Sequence, residues 1–352
     1  MIEIPGAVPV AAVDPASRDA GVAAHYGDPL REQRLLATEA ALVDRSHRGV
    51  LAVPGPERAA WLHSLTSQHL SDLRAGQGTE LLVLSPHGHV EQHAMVAEDG
   101  ETTWLDVEPA SAGELLAFLA KMRFLTRVEP RDATADWALL TLAGPRAAEA
   151  LGLELAEPDA LPVPGPKFPA GAVPARPSIL YPVRQLDSGG WARRTRLGVD
   201  LLVPRASVAA VYERLGVPPA GLWAYEALRV AARVPRQGFE TDHRTIPAEV
   251  EWPRSAVHLD KGCYRGQETV ARVHNLGRPP RRLVLLHLDG VATDRPPAPG
   301  TAVHTADGRA VGFVGTAVTH FELGPIALAL VKRNVPDDAD LRIGDSVAAI
   351  EP

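Results

Sequence analysis

KGCYRGQE, residues 261–268, contains Cys263, which is the only cysteine in a chain of 352 residues. Glycines lie on both sides of the thiol, and Lys261 and Arg265 each lie two residues away from it. Neighbouring cations favour the thiolate, which is the form of cysteine that reacts. Two interpretations remain open on these residues alone. A free cysteine is most often a small buried hydrophobe, whereas this polar, glycine-flanked setting favours a functional thiol supported by Lys261 and Arg265.

Composition and charge narrow the possible classes of protein. The chain has a net charge of -7, a pI near 6.0 and a hydrophobic fraction of 45%, which is typical of a globular protein that does not attract nucleic acid or anionic membranes as a whole. A lone cysteine cannot form an internal disulfide, which fits a reducing compartment. The first residues lack the pattern of a signal peptide, and no apolar run reaches the roughly 18 residues of a membrane span. We therefore expect a cytoplasmic protein without nucleic-acid or membrane partners.

Changes in the pattern of predicted strands and helices along the chain indicate four segments. Two stretches share the order strand, helix, strands, helix, which indicates two α+β units. After Arg278 the pattern changes to short β-runs separated by glycine and proline, which is typical of a small β-barrel. The predicted segments are an N-terminal wrapping segment at 1–45, a first α+β subdomain at 46–135, a second at 136–278 that includes a proline-rich loop at 157–177 and the KGCYRGQE motif, and a C-terminal β-barrel at 279–352.

Local signals predict several element ends. Ser111 and Glu114 have the spacing of a capping box, so we expect a helix from Ala112 onward. The Asp-Gly pairs at 99–100 and 307–308 lie between β-runs and predict two hairpin turns.

A group of aromatic and charged residues could hold a flat ligand. Trp223 and Tyr225 lie near the start of a predicted helix and are followed by Glu226 and Arg229, while Asp200 is a carboxylate within an apolar strand. An aromatic surface beside a carboxylate and a guanidinium suits a heterocycle that donates and accepts hydrogen bonds. The alternatives are a core aromatic cluster and an aspartate that faces solvent.

Three histidines, His87, His89 and His93, have even spacing and would share one face of a continuous strand. Three histidines can bind zinc. However, Gly88 is typical of a turn, which would break that geometry. We therefore favour a solvated histidine-rich hairpin and predict no metal site.

The KGCYRGQE octapeptide resembles the signature of the folate-binding YgfZ-type proteins, which are relatives of the glycine-cleavage T-protein. Two further stretches, GLWAYEALRVAARVP at 221–235 and RRTRLGVDLLVP at 193–204, are similar to segments that both families share. The resemblance extends from about Gly49 to the C-terminus.

This resemblance implies a fold and a set of functional residues. The expected fold is α+β and T-protein-like, with two α+β subdomains and a small C-terminal β-barrel around a central opening that holds tetrahydrofolate or a derivative. Asp200 falls where the T-protein has a carboxylate that contacts the pterin. Tyr225, with Trp223 beside it, falls where an aromatic residue is expected against the folate, and Arg229 follows in the same helix. The resemblance also implies a role in assembling or repairing iron–sulfur clusters, with the assembly machinery or client iron–sulfur enzymes as partners.

The chain departs from the T-protein pattern at one stretch. T-proteins carry an aspartate pair after a glycine turn, where this sequence has Glu91 and Gln92. A longer acid and an uncharged amide differ in reach and charge from two aspartates, and catalysis depends on such positioning. The sequence therefore favours an accessory role over aminomethyl transfer. Two alternatives remain: a folate-dependent aminomethyl- or methyltransferase that uses Glu91, and a docking module that has lost the folate.

A single thiol restricts the chemistry of that accessory role. An iron–sulfur cluster normally takes four cysteine ligands, so Cys263 cannot hold one within this chain. A lone thiol can instead form a mixed disulfide, accept a sulfur atom, or lend one ligand to a partner.

The arginines that follow the motif, from Arg265 to Arg282, predict attraction for the glutamate tail of a folate or for an acidic partner. A solvated arginine-rich loop is the alternative.

Overall fold

The computed structural model of the chain describes residues 4–161, 175–290 and 296–351. Most of the proline-rich loop predicted at 157–177 lies outside these ranges. Across the described ranges, none of the helices is long and apolar enough to cross a membrane.

The N-terminal residues form short strands and helices that pack against the rest of the chain. The strands are β1 (Val8–Pro9), β2 (Ala23–His25) and β3 (Ala41–Asp44), and the helices are α1 (Val10–Val13) and α2 (Pro29–Thr38). Helix α2 begins where the Asp28 carboxylate accepts hydrogen bonds from the main-chain N–H groups of Leu30 and Arg31. Strand β3 contributes to the main sheet, where it pairs with residues 140–143.

The first α+β unit is an antiparallel sheet with helices on one side. Its strands are β4 (Gly49–Pro54), β5 (Gln77–Leu84), β6 (Val90–Glu98), β7 (Thr102–Val107) and β8 (Arg131–Asp132), and its helices are α3 (Arg58–Leu65) and α4 (Ala112–Lys121). The strand order is β5-β6-β7-β4-β8. The Asp99–Gly100 pair connects β6 to β7, and Gly100 has a φ of 104°, so the predicted hairpin turn is confirmed.

The helix predicted from Ala112 is confirmed, but the capping box is wrong. Ser111 has φ -96° and ψ -15° and its side chain makes no capping hydrogen bond. An N-cap residue normally takes an extended conformation that aims its oxygen at the helix N–H groups. The helical conformation of Ser111 does not provide this geometry.

The second α+β unit also begins with a strand and a helix, followed by a group of strands and a second helix, and it continues with a short strand and two further helices. Its strands are β9 (Trp137–Ala143), β10 (Asp159–Ala160), β11 (Ile179–Gln185), β12 (Trp191–Thr195), β13 (Gly198–Pro204) and β14 (Pro219–Ala220), and its helices are α5 (Ala147–Leu151), α6 (Val208–Leu215), α7 (Leu222–Ala231) and α8 (Gln267–Leu276). Strand β11 pairs with β5, where Tyr181 lies opposite Gly78, so the two units share one continuous twelve-stranded sheet.

The C-terminal unit is a closed six-stranded barrel. Its strands are β15 (Arg281–Leu288), β16 (Ala302–Thr305), β17 (Ala310–His320), β18 (Gly324–Lys332), β19 (Leu341–Ile343) and β20 (Ser346–Ile350). Strand β20 pairs with β15 and closes the barrel, which leaves no open sheet edge. The Asp307–Gly308 turn joins β16 to β17, as predicted. The α+β fold with two related units and a small C-terminal barrel is confirmed.

Candidate functional site

A cavity of about 270 Å³ lies where the two halves of the sheet meet the segment after α7, which is close to the smallest volume usual for small-molecule sites, about 300 Å³. Its walls come from β5, β6, β11, β12, β13 and α7, from Arg45 and Arg48 between β3 and β4, and from residues 232–236 and 250–255. The lining includes seven arginines, at positions 45, 48, 196, 229, 233, 236 and 254, and four carboxylates, at positions 80, 108, 200 and 251. Several of these arginines pair with carboxylates outside the lining: Arg229 with Glu226 and Glu240, and Arg236 with Asp19 and Glu226.

Asp200, one of the predicted ligand residues, lines this cavity and is buried. Its Oδ2 atom accepts a hydrogen bond from Arg193 at 2.7 Å, and its Oδ1 atom accepts from the Thr141 hydroxyl at 2.7 Å and from Arg45 at 3.2 Å. Burial alone would raise the pKa of Asp200, but the guanidinium groups of Arg193 and Arg45 lower it below its usual range. The cavity therefore contains a fixed, ionised carboxylate.

Two further predicted residues, Tyr225 and Arg229, also line the cavity. Tyr225 is buried, and the Arg45 guanidinium lies 4.6 Å from the centre of its ring. Arg229 is buried and donates to Glu226 at 2.7 Å and to the Thr316 hydroxyl in the C-terminal barrel at 2.6 Å. Arg229 thus connects the cavity wall to the barrel.

The structure separates Trp223 and Glu226 from the other predicted ligand residues, because neither of them lines the cavity. Trp223 is 37% exposed, and its ring lies 5.3 Å from that of His25. Glu226 is buried between Arg229 and Arg236, the latter at 3.2 Å. On one helix, residues at 223 and 225 face different directions, since each residue advances about 100° around the axis.

A chain of buried ion pairs runs through the cavity wall and joins the N-terminal segment to both α+β units. Each arginine in it bridges carboxylates, and the contacts between them range from 2.7 to 3.2 Å. Its members, in order, are Asp200, Arg193, Asp106, Arg48, Glu108, Arg236 and Asp19. Removing one partner of such a pair leaves an uncompensated charge, at a cost of about 3–5 kcal/mol. The cavity wall is therefore rigidly positioned.

A second carboxylate, Glu80, lines the opposite part of the cavity. It accepts hydrogen bonds from the Tyr181 hydroxyl, from the Ser255 hydroxyl at 3.0 Å and from His93 Nε2 at 3.0 Å. The His93 ring lies parallel to that of Trp252, with centroids 4.8 Å apart and an interplanar angle of 16°. All five side chains line the cavity.

The expectation of a solvated histidine hairpin is wrong for His93 and holds for His87. His87 is exposed in the turn between β5 and β6, whereas His93 is buried within β6. In the part of the chain that the structure describes, no group of three or more histidine, cysteine, aspartate or glutamate side chains could hold a metal ion.

Glu91 and Gln92, at the departure from the T-protein pattern, lie outside the cavity lining. Glu91 is exposed and pairs with Arg265 at 3.1 Å, and the Gln92 amide donates to Glu114 at 3.0 Å. The next residue, His93, is the one that reaches the cavity.

The KGCYRGQE motif forms a loop that leads into helix α8. Lys261 is buried, and its ammonium group donates to the main-chain carbonyls of His63, Thr66 and Gln68 at the end of α3. Burial lowers the pKa of Lys261 to about 7, while three carbonyl acceptors match the three protons of the ammonium form. The Gln267 amide donates to the Lys261 carbonyl at 3.0 Å and closes the loop.

Gly266 fixes this loop against the hairpin turn between β5 and β6. It has a φ of 81°, and a Cβ atom there would lie 2.7 Å from the Ser85 carbonyl oxygen and 2.8 Å from Gly88 Cα. Only glycine fits this position. Tyr264 is buried beside it, whereas Cys263 is exposed as a free thiol.

The predicted supporting cations of Cys263 have other partners. Lys261 is bound to the end of α3, and Arg265 pairs with Glu91. In the basic run that follows, Arg281 pairs with Asp242 and Glu249, and Arg282 pairs with Asp337. Arg281 and Arg282 therefore stabilise contacts between segments.

Sequence reasoning missed several residues that line the cavity. Two of them had a recognisable feature in the sequence. Glu80 is an acid inside the apolar run TELLVL, and His93 has the even spacing of residues on one strand face. Others gave no local signal because they are brought together only by the fold. The missed residues include Arg45, Arg48, Glu80, His93, Tyr181, Arg196, Trp252 and Ser255.

Comparison with known proteins identifies the family. The model of the GCVT N-terminal domain matches residues 25–161. The aminomethyltransferase of Rubrobacter xylanophilus is 30% identical over 275 residues, which cover 75% of this chain and 69% of that protein. The chain belongs to the glycine-cleavage T-protein family.

Other members of the T-protein family match over similar lengths. The aminomethyltransferase of Saccharopolyspora erythraea is 28% identical over 88% of this chain and 83% of its own. A transferase-like chloroplastic protein of Arabidopsis thaliana is 29% identical, and the match spans 81% of this chain and 65% of that protein. The crystal structure of the glycine cleavage system aminomethyltransferase T from Bartonella henselae superposes with a TM-score of 0.78 at 20% identity, covering 98% of this chain and 92% of that one. This likeness shows that the T-protein fold extends through the described residues beyond the stretch matched by the GCVT N-terminal domain.

Proposed function

We propose that the chain binds tetrahydrofolate or a derivative in the central cavity and supports iron–sulfur cluster assembly or repair through Cys263, as a YgfZ-type member of its family. The observation that carries the folate part is the cavity itself. It combines several arginines with a fixed carboxylate, Asp200, and with the flat surfaces of Tyr225 and Trp252.

These residues fit the chemistry of a reduced folate. A pterin ring presents adjacent donor and acceptor groups, and an ionised carboxylate accepts hydrogen bonds from the donors. Aromatic side chains bury the flat ring. The glutamate tail of a folate is anionic, and it would attract the partly exposed Arg233 and Arg254 at the cavity in competition with their present partners, Glu351 and Glu251.

The thiol part of the proposal rests on the motif loop. Lys261, Tyr264, Gly266 and Gln267 hold the loop in place, and Cys263 is among the exposed residues of the motif. A thiol that serves packing would be buried. We infer that Cys263 acts on an iron–sulfur assembly factor or a client iron–sulfur enzyme in the cytoplasm, where a lone cysteine stays reduced.

A folate-dependent aminomethyl- or methyltransferase is the second candidate, and the names of the bacterial relatives favour it. The exposed position of Glu91, paired with Arg265, speaks against Glu91 as its catalytic acid. Incubation with tetrahydrofolate and an aminomethyl or methyl donor separates the candidates, because only an enzyme forms substituted folate with turnover.

A fluorescence titration with tetrahydrofolate tests the folate part. Trp252 lines the cavity, so ligand binding should change its emission, and Trp252→Phe should remove most of the change. Trp223→Phe is the matched control, because Trp223 lies outside the cavity. Absence of saturable binding would reject the folate site and leave the docking module as the better interpretation.

Rescue in cells tests the thiol part. Cys263→Ala and Cys263→Ser should fold and bind folate normally, yet fail to restore iron–sulfur enzyme activity in cells that lack the protein. Full rescue by both variants would reject the role of Cys263 without affecting the folate site.

A further inference from the structure

Two large apolar side chains project from the turn that follows α4. Phe124 is 91% exposed and Leu125 is 96% exposed, and Met122 beside them is 38% exposed. Single apolar residues are common on protein surfaces, whereas adjacent large ones at nearly full exposure mark contact sites. Packing against the described residues therefore gives no reason for either side chain.

The backbone holds this pair in a tight turn. The main-chain N–H of Thr126 donates to the carbonyl of Arg123 at 3.0 Å, and Phe124 has a φ of 45°. Glycine is the residue that normally takes a positive φ at this place in a turn, and the left-handed conformation is strained for a bulky side chain. A strained phenylalanine that is almost wholly exposed favours a role outside the fold.

Helix α3 connects this turn to the motif loop. At the beginning of α3, the main-chain N–H of Arg127 donates to the Glu57 carboxylate at 2.6 Å. At its end, the Lys261 ammonium group donates to the Thr66 carbonyl at 2.6 Å. A helix of eight residues is about 12 Å long. The apolar turn and the loop that carries Cys263 are therefore anchored to opposite ends of one short helix.

The charges around the turn have both signs. Two exposed ion pairs lie beside it, Arg127–Glu57 and Arg123–Glu129. Residues 121–132 contain four cations and two carboxylates, and among the described residues neither Lys121 nor Arg131 has a carboxylate partner. An anionic bilayer favours a uniformly basic surface, whereas a rim of mixed charge around apolar side chains is typical of a protein interface. Lys121 and Arg131 would face carboxylates of the partner.

The size of the apolar surface also restricts the partner. An aromatic side chain buries about 150–250 Å², so the pair and Met122 together supply less than the roughly 800 Å² per partner of a stable interface. A second copy of the chain held only by this turn would dissociate. Two exposed apolar side chains are instead suited to be the central anchor of a transient contact, which weaker polar contacts surround.

We propose that Phe124 and Leu125 are the anchor by which the chain docks on a partner protein that offers an apolar pocket edged by carboxylates, and that this partner is the one on which Cys263 acts. This inference rests on the proposed function of Cys263. Docking at one end of α3 keeps the partner near the thiol loop at the other end.

Rescue of iron–sulfur enzyme activity in cells that lack the protein tests this proposal. Phe124→Ser and Leu125→Ser should each lower the rescued activity about tenfold or more at equal protein level, whereas Leu125→Met should keep it. Leu323→Ser is the matched control, because Leu323 is an exposed apolar residue of the C-terminal barrel. It should rescue as the wild type does.

Stability measurements separate docking from a structural role of the turn. Phe124→Gly should leave the midpoint of urea unfolding unchanged or higher, because the strain that glycine relieves offsets its greater freedom in the unfolded chain. It should nevertheless lose rescue as Phe124→Ser does, with unchanged affinity for tetrahydrofolate and unchanged alkylation of Cys263 by iodoacetamide. A lower midpoint in step with the loss of rescue overturns the docking role.

The outcomes distinguish this inference from the proposed function. Full rescue by Cys263→Ala and Cys263→Ser rejects the thiol and this inference with it. Loss of rescue in those two variants, together with full rescue by Phe124→Ser and Leu125→Ser, overturns the docking turn alone. Flotation of the wild-type protein with phosphatidylglycerol vesicles, or a wild-type dimer in sedimentation, also overturns the proposal if Leu125→Ser abolishes it, because the turn would then contact a membrane or a second copy.

Discussion

Asp200→Asn should weaken both folate binding and the fold, and the two effects can be separated. The carboxylate of Asp200 accepts from Arg193 at 2.7 Å and from Arg45 at 3.2 Å, and Arg193 is fully buried. Breaking a buried ion pair costs about 3–5 kcal/mol. Because Arg193 keeps Asp106 as a partner and an asparagine carbonyl can still accept a hydrogen bond, we expect a loss of about 2–3 kcal/mol in the free energy of unfolding.

Asp106→Asn is the matched control. Asp106 also accepts from Arg193 at 2.7 Å and is equally buried, but it does not line the cavity. Its replacement should therefore reduce the free energy of unfolding by a similar amount. Only Asp200→Asn also places an amide N–H₂ where a pterin donor would need an acceptor, at a cost of about 1–3 kcal/mol in binding.

The assays are urea unfolding for stability and a tetrahydrofolate titration under native conditions for affinity. We expect Asp200→Asn to bind about tenfold to a hundredfold more weakly and Asp106→Asn to bind within about threefold of the wild type. Equal weakening in both variants would mean that Asp200 acts through the fold. Unchanged affinity in Asp200→Asn would refute the contact with the ligand.

Three further predictions concern Glu80 and the motif loop. Glu80 has a pKa of about 2 in the fold against 4.5 in the unfolded chain. Its ionised form therefore stabilises the fold above pH 4.5, and about 3 kcal/mol of this stability is lost as the pH falls from 4.5 to 2. In acid unfolding, Glu80→Gln should flatten this dependence of stability on pH. Gly266→Ala should lower the free energy of unfolding by about 2 kcal/mol or more, because position 266 has a positive φ and lies against backbone atoms. The control is Gly262→Ala, where the added Cβ would meet open space. It should cost less than about 0.5 kcal/mol in the same urea titration. Iodoacetamide should alkylate exposed Cys263 in the folded protein without denaturant, and a need for unfolding would contradict its exposure.

The periodic and local features of this protein were predictable from its sequence. The two hairpin turns at Asp-Gly pairs and the helix from Ala112 follow from patterns within a few residues. The alternation of strands and helices, followed by short β-runs, indicated two α+β units and a barrel. The resemblance carried by KGCYRGQE and by the stretches at 193–204 and 221–235 pointed to relatives of the glycine-cleavage T-protein, and the family of the T-protein is the part that the comparisons show.

The cavity was only partly predictable, because it depends on contacts between distant segments. Asp200 and Tyr225 were identified from sequence features alone, and both line the cavity. Trp223, two residues from Tyr225, lies outside the cavity, because the orientation of α7 decides which of its sides is covered. The roles expected for Lys261 and Arg265 beside the thiol also changed, since their charged groups found partners in α3 and β6. Spacing along the chain gives no information about such partners.

The sequence determined which residues could carry charge, stack on a ring or react as a thiol, and where helices, strands and turns would form. Only the tertiary structure decided which of them meet. Strands β5 and β11 pair across about 100 residues of chain, and this brings Tyr181 to Glu80 and both to His93 and Trp252. Buried charges must find partners wherever the fold provides them, because an unpaired charge in the interior costs several kcal/mol. Local patterns cannot specify those partners, since hydrophobic burial is non-directional and chain connectivity alone does not fix which surfaces pack together.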